Sequence, residues 1–232
     1  MQTVIIAGGL GTRLKSVTGD LPKSLVPVCG RPFIEHQLDL LKAHGLTEVV
    51  LCVGYGSEAI VRHLGNGSAL GVQIVYSHEE EGALLGTGGA LVQALPLLGE
   101  SFLVLYGDSY LPTAYTRIVE AFQAGGDEAM MTVFRNEGQW DHSNVRTDGE
   151  RVVFYSKSVA VGEADFIDYG LTAYRRSVLE RYRDASMPMD LSVILTDLAD
   201  TGALRAFEVH ERFYEVGKPE GLDDLETYLG TG

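Results

Sequence analysis

Five short apolar runs, at residues 3–7 (TVIIA), 49–53 (VVLCV), 72–76 (VQIVY), 102–106 (FLVLY) and 129–134 (AMMTVF), are each separated by a stretch with helical features. This alternation constrains the fold more than any other feature. Continuously apolar strands are buried on both faces, and strands alternating with helices build βαβ units around a mostly parallel sheet. The first helix has an apolar face of Phe33, Ile34, Leu38, Leu40 and Leu41. Pro32 sits at its expected first position and Gly45 just past its end. Further helices are expected near 57–64, 89–98 and 114–124. After Trp140 the pattern changes. Strands are expected at 152–155, 166–174, 204–209 and 212–216, with helices near 176–183, 191–198 and 219–229. The fold class is therefore α/β, Rossmann-like and mostly parallel, with a mixed α+β C-terminal half. No linker-like segment separates the halves, so residues 1–232 are expected to form one domain with lobes at 1–135 and 136–232.

The chain carries 28 glycines, and their clustering is the first functional signal. Run 3–7 ends in Gly8-Gly9-Leu10-Gly11-Thr12-Arg13. A glycine turn between a strand and a helix lets backbone N–H groups converge on phosphate oxygens. No Gly-Lys-Ser/Thr follows, so this is not a P-loop, and Leu14 stands where a dinucleotide fingerprint needs its third glycine. Arg13 and Lys23 add an arginine fork and a lysine point charge suited to a triphosphate. A tight turn with two solvated cations is the alternative. The net charge of −14 and a pI near 4.8 argue against a nucleic-acid-binding surface. No apolar run is long enough to span a membrane, and residues 1–4 show no signal-peptide pattern, so a cytoplasmic protein is expected. Cys29 and Cys52 are too few for a disulfide framework and are expected to be small buried hydrophobes. The six histidines lack zinc-ligand spacing.

Residues 5–14 (IIAGGLGTRL), Leu21-Pro22-Lys23 and Arg31-Pro32-Phe33-Ile34 resemble the N-terminal signature of the sugar-1-phosphate nucleotidyltransferases. Leu85-Gly86-Thr87-Gly88-Gly89-Ala90 and Gly107-Asp108 fit the same family. Within it, the chain is similar to the branch of heptose-1-phosphate guanylyltransferases and muramate-phosphate uridylyltransferases. The resemblance is dense to about residue 110. It implies attack by a sugar-1-phosphate oxygen on the α-phosphorus of a nucleoside triphosphate, with GTP favoured, giving a nucleotide-sugar and pyrophosphate. Such transfer is mostly positioning and electrostatics.

The resemblance further implies that Arg13, Lys23 and Asp108 are catalytic. Arg13 would hold the leaving pyrophosphate and Lys23 the reacting phosphates. Ala7, Gly8, Gly9, Gly11 and Thr12 would cradle the nucleotide, with Glu81 and Gly88 towards the nucleobase. Thr87, Lys157 and Gly170 would face the sugar. Mg²⁺ would bridge the phosphates on Asp108 and Glu215. Glu215, in Tyr214-Glu215-Val216-Gly217-Lys218-Pro219, stands where the family has Asp. Ser156 stands where it has Glu before Lys157. From the residues alone each site has a plain reading too. Asp108 could belong to an ordinary turn, Thr87 could be an N-cap, Lys157 a solvated lysine and Gly170 a strand bulge. Any of Glu79, Glu80 and Glu81 could accept from guanine or belong to a solvated acidic loop. Residues 140–144 (WDHSN) could be a sugar-side loop. Lobe 1–135 would thus bind nucleotide and lobe 136–232 sugar, and homo-oligomerisation is left open. The alternatives are a non-catalytic nucleotide-sugar sensor of the same fold, or a cytidylyltransferase for another phosphorylated small molecule.

Overall fold

The structure, a computed structural model, describes residues 1–9, 21–80, 82–160 and 162–230. In chain order the elements are β1 (Gln2–Ile6), β2 (Pro27–Val28), β3 (Arg31–Pro32), α1 (Phe33–Ala43), β4 (Glu48–Val53), α2 (Ser57–Leu64), β5 (Gln73–His78), α3 (Gly86–Ala94), β6 (Ser101–Tyr106), β7 (Ser109–Tyr110), α4 (Tyr115–Ala124) and β8 (Ala129–Arg135). The second half adds β9 (Val145–Asp148), β10 (Arg151–Tyr155), β11 (Phe166–Arg175), α5 (Arg176–Glu180), α6 (Leu191–Asp200), β12 (Leu204–Val209), β13 (Tyr214–Glu215) and α7 (Pro219–Gly230).

Nine strands form one sheet in the order β5-β4-β1-β6-β11-β8-β12-β10-β9. β1 pairs in parallel with β4 and β6, β4 with β5, and β8 with β12. β11 runs antiparallel between β6 and β8, and β10 runs antiparallel beside β12. β10 and β11 are thus the two strands that oppose the common direction. The alternation up to residue 134 places β8 among the parallel strands. Its direction agrees, but β11 separates it from β6. β9 is absent from the expected strands: its polar residues alternate with few apolar ones, and only Val145 is fully buried.

β1, β4 and β6 are buried along nearly their whole length because each feeds two cores. Val4, Val50, Cys52, Phe102 and Val104 face the layer of α3, α5 and α6. Their neighbours Ile5, Val49, Leu51, Leu103 and Leu105 face α1, α2 and α4. Each buried large apolar side chain contributes roughly 1.5–3 kcal/mol. A smaller third core, including Phe33, Tyr110, Tyr214, Val216 and Leu225, supports the β7–β13 ribbon.

Helix α1 starts one residue later than expected, with Pro32 at its N-cap. Gly45, at φ +73°, ends it: its N–H bonds the Lys42 carbonyl while the Leu46 N–H bonds Leu41. The cysteine expectation divides. Cys52 is buried, and desolvation raises its thiol pKa to about 12. Cys29 is instead exposed. It and Gly30 adopt φ +49° and +77° in the tight β2–β3 turn, which turns this side chain outward from the hairpin. No helix among the described residues is long and apolar enough to cross a membrane.

Candidate active site

The site lies at the carboxyl ends of β1 and β6, where open α/β sheets bind ligands. Three adjoining cavities form a cleft there. The first, about 90 Å³, is lined by Gly8, Gly9, Glu79, Leu84, Gly86 and Thr87. The second, about 160 Å³, shares Gly9 and Thr87 with it and adds Ala7, Lys23, Gly107 and Asp108. The third, about 370 Å³, shares Lys23 and Asp108 and adds Glu215, Gly217, Lys218, Arg212 and Trp140.

Close backbone approach shapes the first cavity. A Cβ on Gly8 would lie 2.4 Å from Glu79 Oε1, whereas one on Gly9 would meet nothing within 4 Å. Glu79 is buried, and its Oε2 accepts the Leu85 N–H at 2.7 Å. The carboxyl is therefore fixed by the Leu85 N–H with its other oxygen packed against Gly8. Glu79 is the acidic residue that the described structure places at this cavity. Glu81 lies outside the described residues, as do Gly11, Thr12 and Arg13.

Asp108 follows β6 and is held from three sides. Buried Gln37 of α1 donates to the Tyr106 and Ser109 carbonyls at 2.9 and 2.7 Å. The Val216 N–H donates to the Asp108 carbonyl at 2.8 Å, joining β13 to this segment. Lys23, in a 3₁₀ turn after Pro22, forms a close ion pair with Asp108 Oδ2. Gly107 is packed so tightly that a Cβ would lie 2.8 Å from the Ile6 carbonyl. Glu215 reaches the same cleft from β13, its register partner being Ser109. Desolvation by the surrounding cleft and the charges of Asp108 and Asp141 raise its carboxyl pKa, against the opposing pull of Lys23 and Lys218. Two crowded carboxylates are a hard-oxygen donor pair with an electrostatic deficit that a cation would relieve. Among the described residues no group of three His, Cys, Asp or Glu side chains could enclose a metal ion, so ligand oxygens would have to complete any shell.

The remaining sequence candidates are placed differently. Gly88 does not line these cavities. Its N–H and that of Gly89 donate to the Met189 carbonyl at 2.9 and 3.0 Å, and a Cβ on Gly88 would lie 3.0 Å from the Asp190 carbonyl. The glycines let α3 pack against the start of α6. Thr87 does not cap its own helix; its Oγ1 accepts the Leu191 N–H at 2.8 Å while the residue still lines the cleft. Lys157 lies outside these cavities on an exposed surface, where its ammonium donates to both oxygens of Asp190, the α6 N-cap, at 2.7 and 2.8 Å. Gly170 sits in the β11 register shift at φ +94°, with its N–H on Asp168 Oδ1 at 2.9 Å. The left-handed φ explains the glycine as a bulge residue. Burial raises the Asp168 pKa to about 6, although the Gly170 N–H and Lys157 pull it down. Sequence reasoning did not single out Gln37 or Arg212. A polar residue within an apolar helix face was the available signal for Gln37; Arg212 had none.

The nucleotidyl transferase family model matches residues 2–144. A D-glycero-alpha-D-manno-heptose 1-phosphate guanylyltransferase of Campylobacter jejuni is 43% identical over 110 residues, covering 47% of this chain and 48% of that protein. Mannose-1-phosphate guanyltransferase beta-B of Xenopus laevis is 30% identical over 228 residues, covering 95% of this chain and 62% of that protein. The chain thus spans less than two-thirds of the length of either relative. The crystal structure of a putative glucose-1-phosphate thymidylyltransferase from Bacillus anthracis in complex with a sucrose shares the fold. Its TM-score is 0.87 at 20% identity, covering 98% of this chain and 95% of that one.

Proposed function

We infer that this chain, which belongs to the nucleotidyl transferase family, transfers a guanylyl group from GTP to the phosphate of a sugar 1-phosphate, releasing pyrophosphate. The observation that carries this reading is the sequence of groups along one cleft. A small, mostly apolar pocket bordered by the Glu79 carboxyl leads to the Lys23–Asp108 pair and then to Glu215. Two relatives named as guanylyltransferases support the choice of base.

Guanine presents two adjacent donors, N1–H and N2–H₂, which suit a carboxylate. Glu79 Oε1 is the oxygen left over once Oε2 holds Leu85. Lys23 can exchange its ion pair with Asp108 for a triphosphate oxygen, which brings its charge to the reacting phosphates. Asp108 and Glu215 fit Mg²⁺, which takes one or two carboxylates plus phosphate and water oxygens. When bound, Mg²⁺ would supply charge neutralisation on the phosphates. Gln37 and the Val216 N–H keep Asp108 in place as Lys23 moves. Arg13 would hold the leaving pyrophosphate. The reaction is an in-line substitution at phosphorus and requires no covalent protein nucleophile.

The test is pyrophosphate release with Mg²⁺ across GTP, UTP, CTP, ATP and dTTP, each against a panel of sugar 1-phosphates. Release that requires both GTP and one sugar 1-phosphate is expected. Release with another base would overturn the guanylyl assignment. Triphosphate binding by folded protein without release for any pair would favour a nucleotide-sensing module.

A further inference from the structure

Lys23 and Asp108 pair within the cleft, yet they belong to segments 85 residues apart. Helix α1 is bonded to both segments. On the Lys23 side, the Phe33 N–H at the start of the helix donates to the Val26 carbonyl at 2.9 Å, and His36 Nε2 donates to the Val28 carbonyl at 2.9 Å. A carbonyl can only accept, so Nε2 carries the hydrogen. Val26 in turn closes the 3₁₀ turn that carries Lys23, its N–H donating to the Lys23 carbonyl at 3.2 Å.

On the Asp108 side, Gln37 gives both hydrogens of its amide to the carbonyls of Tyr106 and Ser109, the residues that bracket Gly107-Asp108. The amide cannot be reversed, because its oxygen would then face two carbonyl oxygens. Gln37 is 3% exposed, and its Oε1 has no hydrogen-bond partner among the described residues. An apolar side chain of similar size would fill the same space, so packing does not account for the amide. The amide holds residues 106 and 109 to one point on α1, which fixes the span of the turn between them. The Asp108 carboxylate is thereby directed, with Oδ2 on Lys23 and Oδ1 accepting from Ser109 Oγ at 3.4 Å. Phe33, His36 and Gln37 stand in the i, i+3 and i+4 relation, on one face of one helix, so α1 sets the spacing of the lysine from the carboxylate. We propose that Gln37 is a positioning residue, which through α1 holds Asp108 where a divalent cation arriving with the triphosphate meets it. This rests on the guanylyl-transfer reading for the identity of the triphosphate. Losing a group that orients a metal's ligand typically weakens metal binding by roughly 10–100-fold.

The probe is Mn²⁺ in place of Mg²⁺, with GTP and no acceptor. Water-proton relaxation gives the Kd of Mn²⁺·GTP, and calorimetry in EDTA gives that of metal-free GTP. Gln37→Met keeps the length of the side chain and removes both donors. It is expected to raise the Mn²⁺·GTP Kd about tenfold, while the metal-free GTP Kd changes by less than about twofold. Gln37→Asn keeps an amide that is one methylene short of the two carbonyls. It should shift the same Kd in the same direction, and it carries the test if Gln37→Met does not fold. Gln2→Met is the control for a purely structural loss. Gln2 also bridges two backbone groups, the Leu97 carbonyl and the Gly99 N–H, each at 3.1 Å, but at the amino end of β1. Its Mn²⁺·GTP Kd should stay within about twofold of wild type. A Kd in the folded Gln37 variants that rises no more than in Gln2→Met overturns the inference, as does an equal loss of metal-free GTP binding. Wild type that binds Mn²⁺·GTP no tighter than metal-free GTP overturns it too, and leaves guanylyl transfer to the pyrophosphate assay. Wild type that binds Mn²⁺·GTP but releases no pyrophosphate with any acceptor fails the guanylyl-transfer reading instead, and the comparison of Kd values still decides the role of Gln37.

Discussion

A single methyl group added at Gly8 should damage stability and nucleotide binding together, through Glu79. The new Cβ would lie 2.4 Å from Glu79 Oε1 and 3.4 Å from the Gly54 nitrogen. Unstrained contacts to carbon lie near ~3.5 Å, so the carboxyl must retreat by about 1 Å. A glutamate terminus is flexible in general, but here the other oxygen accepts the Leu85 N–H at 2.7 Å in a buried setting. Retreat gives up that bond and costs about 1–3 kcal/mol. For a chain of this size each kcal/mol lowers the unfolding midpoint by roughly 2–4 °C. The assay is urea unfolding of Gly8→Ala, Glu79→Ala and the double variant, alongside the GTP KM of each. The double variant lacks the clash, so its loss should fall short of the sum of the single losses by about 1 kcal/mol or more. The GTP KM of Gly8→Ala should rise about tenfold, with the acceptor KM unchanged. Strictly additive losses, or a Gly8→Ala protein within about 0.5 kcal/mol of wild type, would refute the steric argument.

Asp108→Asn should lower turnover about a hundredfold or more, on the scale of removing one electrostatic element from a phosphoryl-transfer site. A near-wild-type rate of pyrophosphate release would remove Asp108 from the chemistry. Glu215→Gln should move the Mg²⁺ titration of activity to higher concentration, and an unmoved titration would return Glu215 to the cleft wall. Asp168 gives a pH signature. Its folded pKa, raised by burial to about 6 from the ordinary 3.8, means the folded protein binds that proton more tightly than the unfolded chain. Wild-type stability relative to Asp168→Asn should therefore fall as pH rises from about 4 to about 6, then stay level. A difference in unfolding free energy that does not vary between pH 4 and 7 would contradict that environment.

Several features of the site were legible in the sequence because they are local. The strand-to-glycine junction at Ala7–Gly8 and the Gly107-Asp108 step after β6 each announce themselves within a few residues. Strand and helix periodicity likewise specifies the two-sided burial of β1, β4 and β6, since every strand residue must face one core or the other. Tertiary structure alone decided the rest. β11 enters between β6 and β8 through pairings such as Ala173 with both Leu103 and Met130, separations no periodic pattern encodes. Glu79 is distinguished from Glu80 by its burial, the Leu85 N–H it accepts and its approach to Gly8. Gly88 serves helix packing because Met189, about a hundred residues later, supplies the carbonyl it bonds. Arg212 gains its meaning from Trp140 and Asp224, which lie on other elements. Backbone conformation is set largely by near neighbours, so the elements could be read along the chain. A side chain's chemistry depends on which distant groups desolvate or pair with it, and those are chosen only when the sheet assembles.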